Sequence, residues 1–207
     1  MQVFSRQIRL LGGAAAAAWA MDVTEKAKAA TGVPTSLWMG LAGLPAGSYA
    51  WTTPVEGMAQ LAEMNQKMMG DTAVTDAIVK GREFIAEVMP DRVAQLIHGE
   101  ITEPAEIGSI LGTVNAVAAE GQGVAAGAWA LKIADLYAEI TGLGVLVTTT
   151  VAGPMFEYTW GVRHANAASV DEATAKLMAS EAYAAELDRA GGLFHPGAAQ
   201  VYAQRIA

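Results

Sequence analysis

The sequence predicts an α+β protein made of two tandem βαββαβ units, and four observations support this. An ordered set of residues recurs about 110 positions further along: Trp19-Ala20 at Trp129-Ala130, Thr31-Gly32 at Thr141-Gly142, and Ala42-Gly43 at Ala152-Gly153. After a one-residue deletion, Tyr49-Ala50-Trp51 matches Tyr158-Thr159-Trp160 and Lys67-Met68-Met69 falls on Lys176-Leu177-Met178. With the offset restored, Gly81 and Phe84 fall on Gly191 and Phe194. Finally, strand-like and helix-like patterning alternate in the same order in both copies. The units are expected over residues 1–101 and 107–207, with a linker at 102–106 behind Thr102-Glu103-Pro104.

Within the first copy, Gln2 to Leu10 is rich in Val, Phe and Ile and reads as a strand, broken by Gly12-Gly13 before a helix from Ala14 to Ala30. The matching helix of the second copy carries Trp129, Ile133, Leu136 and Ile140 as one apolar stripe, while Lys132, Asp135 and Glu139 face elsewhere. Gly32 and Gly142 are placed to supply left-handed C-caps. Strands follow over Thr35 to Leu41 and Gly47 to Thr52, and again over Val145 to Val151 and Phe156 to Val162, where β-branched and aromatic residues cluster. Thr53-Pro54-Val55-Glu56 and Ser169-Val170-Asp171-Glu172 read as capping boxes, each opening one long helix. Final strands are expected over Arg92 to His98 and Gln200 to Ile206. Met58, Met64, Met68 and Met69 read as core side chains of the second helix.

This order is the ferredoxin-like, or split βαβ, arrangement, with helices on one face of an antiparallel sheet. The bare face needs a cover, and a second copy supplies one, so two such units form an α+β barrel as a pseudo-dimer. Whether that barrel closes within the chain or with another chain stays open at this level.

The element order, the Tyr-x-Trp that ends each third strand, and the Ala/Glu-rich Asp171 to Leu187 with its Ala-Ser-Glu-Ala-Tyr step carry a likeness. On these the chain resembles the dimeric α+β barrel superfamily, most nearly its NIPSNAP-like and small-monooxygenase-like branches. The resemblance covers nearly the whole chain and implies a barrel around a central cavity. It also implies relatives among cofactor-independent oxygenases, haem-degrading enzymes and chlorite-dismutase-like haem proteins. Haem-degrading members use an Asn on the first strand, a Trp ending the third and a His about ten residues beyond. Asn115 and Trp160 match, but Ser169 and Val170 stand where the His would fall, so no haem and no other cofactor is expected.

Composition sets further bounds. With 53% apolar and 16% charged residues the chain can bury a core. A net charge of -8 without a Lys/Arg cluster disfavours nucleic acid as a partner. No Cys means no disulfide, thiolate or Cys-ligated metal chemistry. Arg6, Arg9 and the run Leu10 to Ala20 imitate a signal peptide, but Val124 to Ala130 has the same character inside the chain, so both read as helices of the fold. No apolar run reaches the roughly 20 residues of a membrane span, and a cytoplasmic location is expected.

The candidate site follows from the polar residues of the second copy and the paired aromatics. His164, in Arg163-His164-Ala165-Asn166, lies in a polar segment and reads as a base or an orienting group, with Asn115 beside it as the other catalytic candidate. Trp160 and Tyr158, with Trp51 and Tyr49 opposite and Arg163 nearby, read as a lining for a flat organic ligand; core packing is the competing role. His98 and His195 read as structural, and no His/carboxylate spacing predicts a metal. The leading function is binding of a small, mainly apolar organic molecule in the barrel, in its enzymatic form by a cofactor-independent monooxygenase or a cyclase-like enzyme. The alternative is a structural or interaction protein that assembles through its barrel sheets. A homo-oligomer is expected in either case.

Overall fold

The computed structural model describes all residues, 1–207. Strand β1 (Gln2–Leu10) runs into helix α1 (Ala14–Thr31), then β2 (Ser36–Ala42), β3 (Ser48–Val55), α2 (Met58–Gly70), α3 (Thr72–Lys80), a 3-10 turn (Gly81–Phe84), β4 (Ile85–Val88) and β5 (Arg92–His98). The order then recurs as β6 (Ile110–Val117), α4 (Gly123–Thr141), β7 (Val145–Ala152), β8 (Glu157–His164), α5 (Ala167–Met178), α6 (Glu181–Asp188) and β9 (Ala199–Arg205). Helices α1 and α4 end as their glycines dictate: Gly32 at φ 71° and Gly142 at φ 78° turn back and donate to Lys28 O and Ala138 O.

The strands form one antiparallel sheet in the order β3-β2-β9-β6-β8-β7-β5-β1-β4. Because β3 also pairs with β1, from Gln2 opposite Val55 to Arg9 opposite Ser48, the sheet closes into an eight-stranded barrel within the single chain. The two seams between halves are β2–β9 and β5–β7, where the last strand of each half pairs with the second strand of the other. Strand β4, which the sequence does not announce, lies outside the ring against Ile8 to Leu10.

The helix starts differ from the sequence reading. Thr53, Pro54 and Val55 belong to β3 rather than to a capping box, with Pro54 near the strand end where a missing N–H is tolerated. Helix α2 instead begins at Met58 after Gly57. In the second half Asn166 is the N-cap and its Oδ1 accepts from Ser169 N at 3.1 Å, so α5 starts ahead of the expected Ser169 box. Neither half has one long second helix. Asp71 accepts from Ala73 N and Val74 N to open α3, and Ser180 accepts from Tyr183 N to open α6. A short side chain that accepts from a free N–H of the next turn favours a fresh helix over continuation of the old one. Among the methionines of α2, Met64 is buried, whereas Met58 and Met69 are exposed.

Two cores lie between sheet and helices. Ile8, Leu10, Leu37, Tyr49 and Trp51 pack on Ala16 and Ala20 of α1. Ala116, Val145, Val147, Trp160 and Val162 pack on Ala130, Ile133 and Ala134 of α4. Small helix residues let the helix axis approach the large strand side chains. Since these residues fix the outer face, strand alternation turns their neighbours into the barrel lumen.

Candidate functional site

The Tyr-x-Trp residues do not line the lumen. Trp51 Nε1 donates to Thr24 Oγ1 at 2.8 Å, and Trp160 Nε1 donates to Ala130 O at 2.9 Å. Tyr158 OH donates to Gly123 O at 3.0 Å, and Tyr49 is buried in the first core, where burial pushes its phenol pKa up. Each aromatic is thus packed on a helix with its polar atom paired inside the core. His164 shares that outer side of β8, and it is no surface residue: only 2% of it is exposed, and its Nδ1 has no hydrogen-bond partner. Burial holds its pKa below the ordinary value. Asn115 is separated from His164 by the sheet itself, since odd-numbered residues of β6 and β8 face the lumen and even-numbered ones face the helices. Arg163 faces the lumen at the end of β8, with its guanidinium donating to Glu103 O at 3.3 Å.

The lumen carries Ser5, Thr52, Thr113, Asn115, Thr148, Thr150 and Thr159, interleaved with small residues such as Ala50, Ala94, Ala203 and Gly161. Its one indole is Trp38, whose Nε1 donates to Thr52 Oγ1 at 2.8 Å. At one mouth a cavity of about 260 Å³ is bounded by Arg92, Asn115, Val117, Glu157 and the segment from His195 to Ala199. There Arg92 holds the nearly buried Glu157 carboxylate at 2.8 Å, across the seam between halves. Thr159 Oγ1 donates to Asn115 Oδ1 at 2.7 Å, which orients the amide and leaves its Nδ2 without a protein partner. His195 is fixed by its own backbone, N–H to Val117 O at 2.9 Å, so its imidazole is carried on the rim. A second cavity, of about 440 Å³, opens at the opposite end beside Met1, Pro34, Pro54 and Gln60.

The structure therefore brings Asn115 together with Arg92, Glu157, Thr159 and His195, none of which the sequence reading ranked as site residues. One signal could have found two of them. Once Tyr158 and Trp160 are assigned to the helix side, period-two alternation sends Glu157 and Thr159 inward with Arg163. Chemically, the mouth offers an amide N–H donor, a fixed ion pair and an imidazole around one cavity, and no group of His, Asp and Glu is close enough to hold a metal.

A barrel of this build, closed over such a lumen, defines a class: the dimeric α+β barrel fold. Among solved structures the chain is similar to a candidate monooxygenase from Fusobacterium nucleatum subsp. nucleatum, with a TM-score of 0.73, 6% identity, and coverage of 100% of this chain and 92% of that one. It is equally similar to an anthrone oxidase-like protein, with a TM-score of 0.73, 10% identity, and coverage of 100% and 91%. A candidate monooxygenase from Lactobacillus acidophilus follows at a TM-score of 0.64 and 11% identity, with coverage of 99% and 93%. At such identities the likeness is one of fold, and it extends along the whole chain. No protein-family model and no curated protein matches the sequence.

Proposed function

We propose that this chain, two ferredoxin-like units joined by duplication, is a barrel enzyme that takes a small, mainly apolar organic molecule into its lumen and oxygenates it without a cofactor. The observation that carries this is the lining of the lumen. A barrel whose only task is assembly gains most by filling its centre with Leu, Ile and aromatic side chains. Here the large aromatics other than Trp38 lie outside. Within, hydroxyls and small residues line the half of the wall nearer Asn115, and Val3, Leu96, Leu111 and Leu146 line the other half, an amphipathic interior rather than a uniformly apolar one. The names of the fold neighbours, an anthrone oxidase-like protein among them, favour oxygen chemistry over the other activities the fold hosts.

In this reading the substrate carries an acidic CH2 beside a carbonyl. His195 takes its proton, and the Asn115 amide N–H donates to the oxyanion of the resulting enolate. The enolate passes electrons to molecular oxygen, the two combine as a hydroperoxide, and loss of water leaves a new carbonyl. The balance is CH2 plus O2 giving C=O plus H2O, so no external reductant is needed. Oxygen uptake with anthrone as the probe tests this, with ¹⁸O2 label expected in the quinone. Asn115→Ala and His195→Ala should each lower the rate by about a hundredfold. Native mass spectrometry that shows an empty lumen in protein from its source, together with no uptake on any anthrone-like probe, would overturn the proposal.

A further inference from the structure

The mouth opposite Asn115 carries two arginines that no carboxylate side chain contacts as an ion pair. Arg163 ends β8 opposite Leu111 of β6, and Arg205 lies on the other side of β6, its N–H donating to Ser109 O at 2.9 Å. Both belong to the lumen-facing set of their strands, and Arg205 stands opposite Trp38 of β2. No aspartate or glutamate side chain pairs with either guanidinium, although Arg6, Arg9, Arg92 and Arg189 all have one. Their hydrogen bonds go to backbone oxygens: Arg163 to Glu103 O at 3.3 Å and Arg205 Nε to Ala207 O at 3.0 Å. The terminal amines of Arg205 are left without a protein acceptor.

Two like charges on one rim repel, and the effect is felt here: burial, then the Arg163 charge, push the Arg205 pKa down, and the Glu25 carboxylate of α1 offsets them only in part. Such a pair is relieved by an anion, and guanidinium forks match carboxylate oxygens. Just inside the pair the lumen turns apolar, with Val3, Trp38, Leu96, Leu111 and Leu146 at this level of the barrel.

We propose that the ligand of the lumen is an organic carboxylate, its acid group held between Arg163 and Arg205 and its apolar body laid against Trp38, Leu111 and Leu146. This rests on the reading above that the lumen binds an organic molecule, and the test separates the two. Benzoate, 2-naphthoate and octanoate are titrated calorimetrically into the intact chain at low salt, each beside the neutral alcohol of the same skeleton. The expected result is that at least one acid binds about tenfold or more tightly than its alcohol. Arg163→Gln and Arg205→Gln should each lower the acid's affinity more than the alcohol's and so erode that preference, and Arg163→Lys should fall between.

If acid and alcohol bind the unaltered chain equally, or if the acid's preference survives both glutamine substitutions, the carboxylate assignment fails while lumen binding stands. If no compound of either kind binds, both readings fail. The comparison on the unaltered chain needs no variant to fold, so misfolding of a variant does not remove the test.

Discussion

Trp160 and His164 sit on the same outer face of β8, and each makes a residue-level prediction opposite to what a lumen position would give. Trp160 fills the second core and pairs its indole N–H with Ala130 O. Trp160→Ala is therefore expected to cost about 3–5 kcal/mol in urea unfolding. A lumen position would instead lose ligand with little change in stability. His164 has its folded pKa lowered by burial, so the unfolded chain binds its proton more readily than the folded one. Its contribution is complete above the unfolded value near 6.5 and is lost as pH falls from there through the folded value. Unfolding free energy measured from pH 8 to 5 should drop across that window, and His164→Leu should flatten the drop. Glu186, held low chiefly by its bond to Lys132, loses its share only below the ordinary carboxylate range, so the two effects separate on the pH axis. The sequence shows that Tyr158 and Trp160 share a face but not which one. Glu157, Thr159 and Arg163 look like the solvent side of an ordinary strand until closure of the ring makes that side an interior.

At the scale of elements, the paired helices after β3 and β8 depend on how the chain breaks and restarts. Asp71 Oδ1 accepts from Ala73 N at 2.8 Å and Val74 N at 3.1 Å, and Asp71→Ala should cost about 1 kcal/mol through fraying of α3. Just beyond α3, Gly81 lies against the Trp19 indole: a Cβ there would come within 1.8 Å of Trp19 Cε2. Trp19 is held by its bond to Ala77 O at 2.7 Å and by contacts with Trp51 and Phe84, so it has little room to move. Gly81→Ala is expected to cost about 1–3 kcal/mol. Gly191→Ala, at the matching place in the other half, meets only Asp188 O at 3.2 Å and should cost less. Thermal melts of the two variants side by side check this. The sequence spacing aligns Gly81 with Gly191 and Phe84 with Phe194; the two phenylalanines do pack alike, on Trp19 and on Trp129, whereas the two glycines meet different surroundings. The interruption of each helix is not legible in the sequence, because Asp71 and Ser180 are single capping residues inside helix-favouring runs. His195 is illegible for another reason: it lies in irregular chain before Pro196, where no periodicity reports on position.

At the scale of the molecule, the ring closes through β2–β9 and β5–β7, both between the halves. A fragment of residues 1–101 alone would expose β2 and β5 as unpaired edges and its lumen face to water. Such a fragment should not run as a folded monomer in size-exclusion chromatography. Mixing it with 107–207 should restore a one-to-one complex with the circular dichroism of the intact chain, whereas a folded monomeric fragment would contradict this dependence. Most of the order of elements was legible in the sequence, apart from β4 and the split second helices, but the choice between closure within one chain and closure between two chains was not. Nothing local in β2 or β5 names the strand it will meet. That closure has a consequence for anything the lumen holds. In a ring built from two identical chains every wall residue occurs twice about a twofold axis, and a guest finds two indistinguishable poses. Here each wall residue occurs once: Arg163 and Arg205 stand at one end, and Asn115 and the Arg92–Glu157 pair at the other. The lumen wall has a head and a tail, so the two ends of an unsymmetrical guest would meet different chemistry.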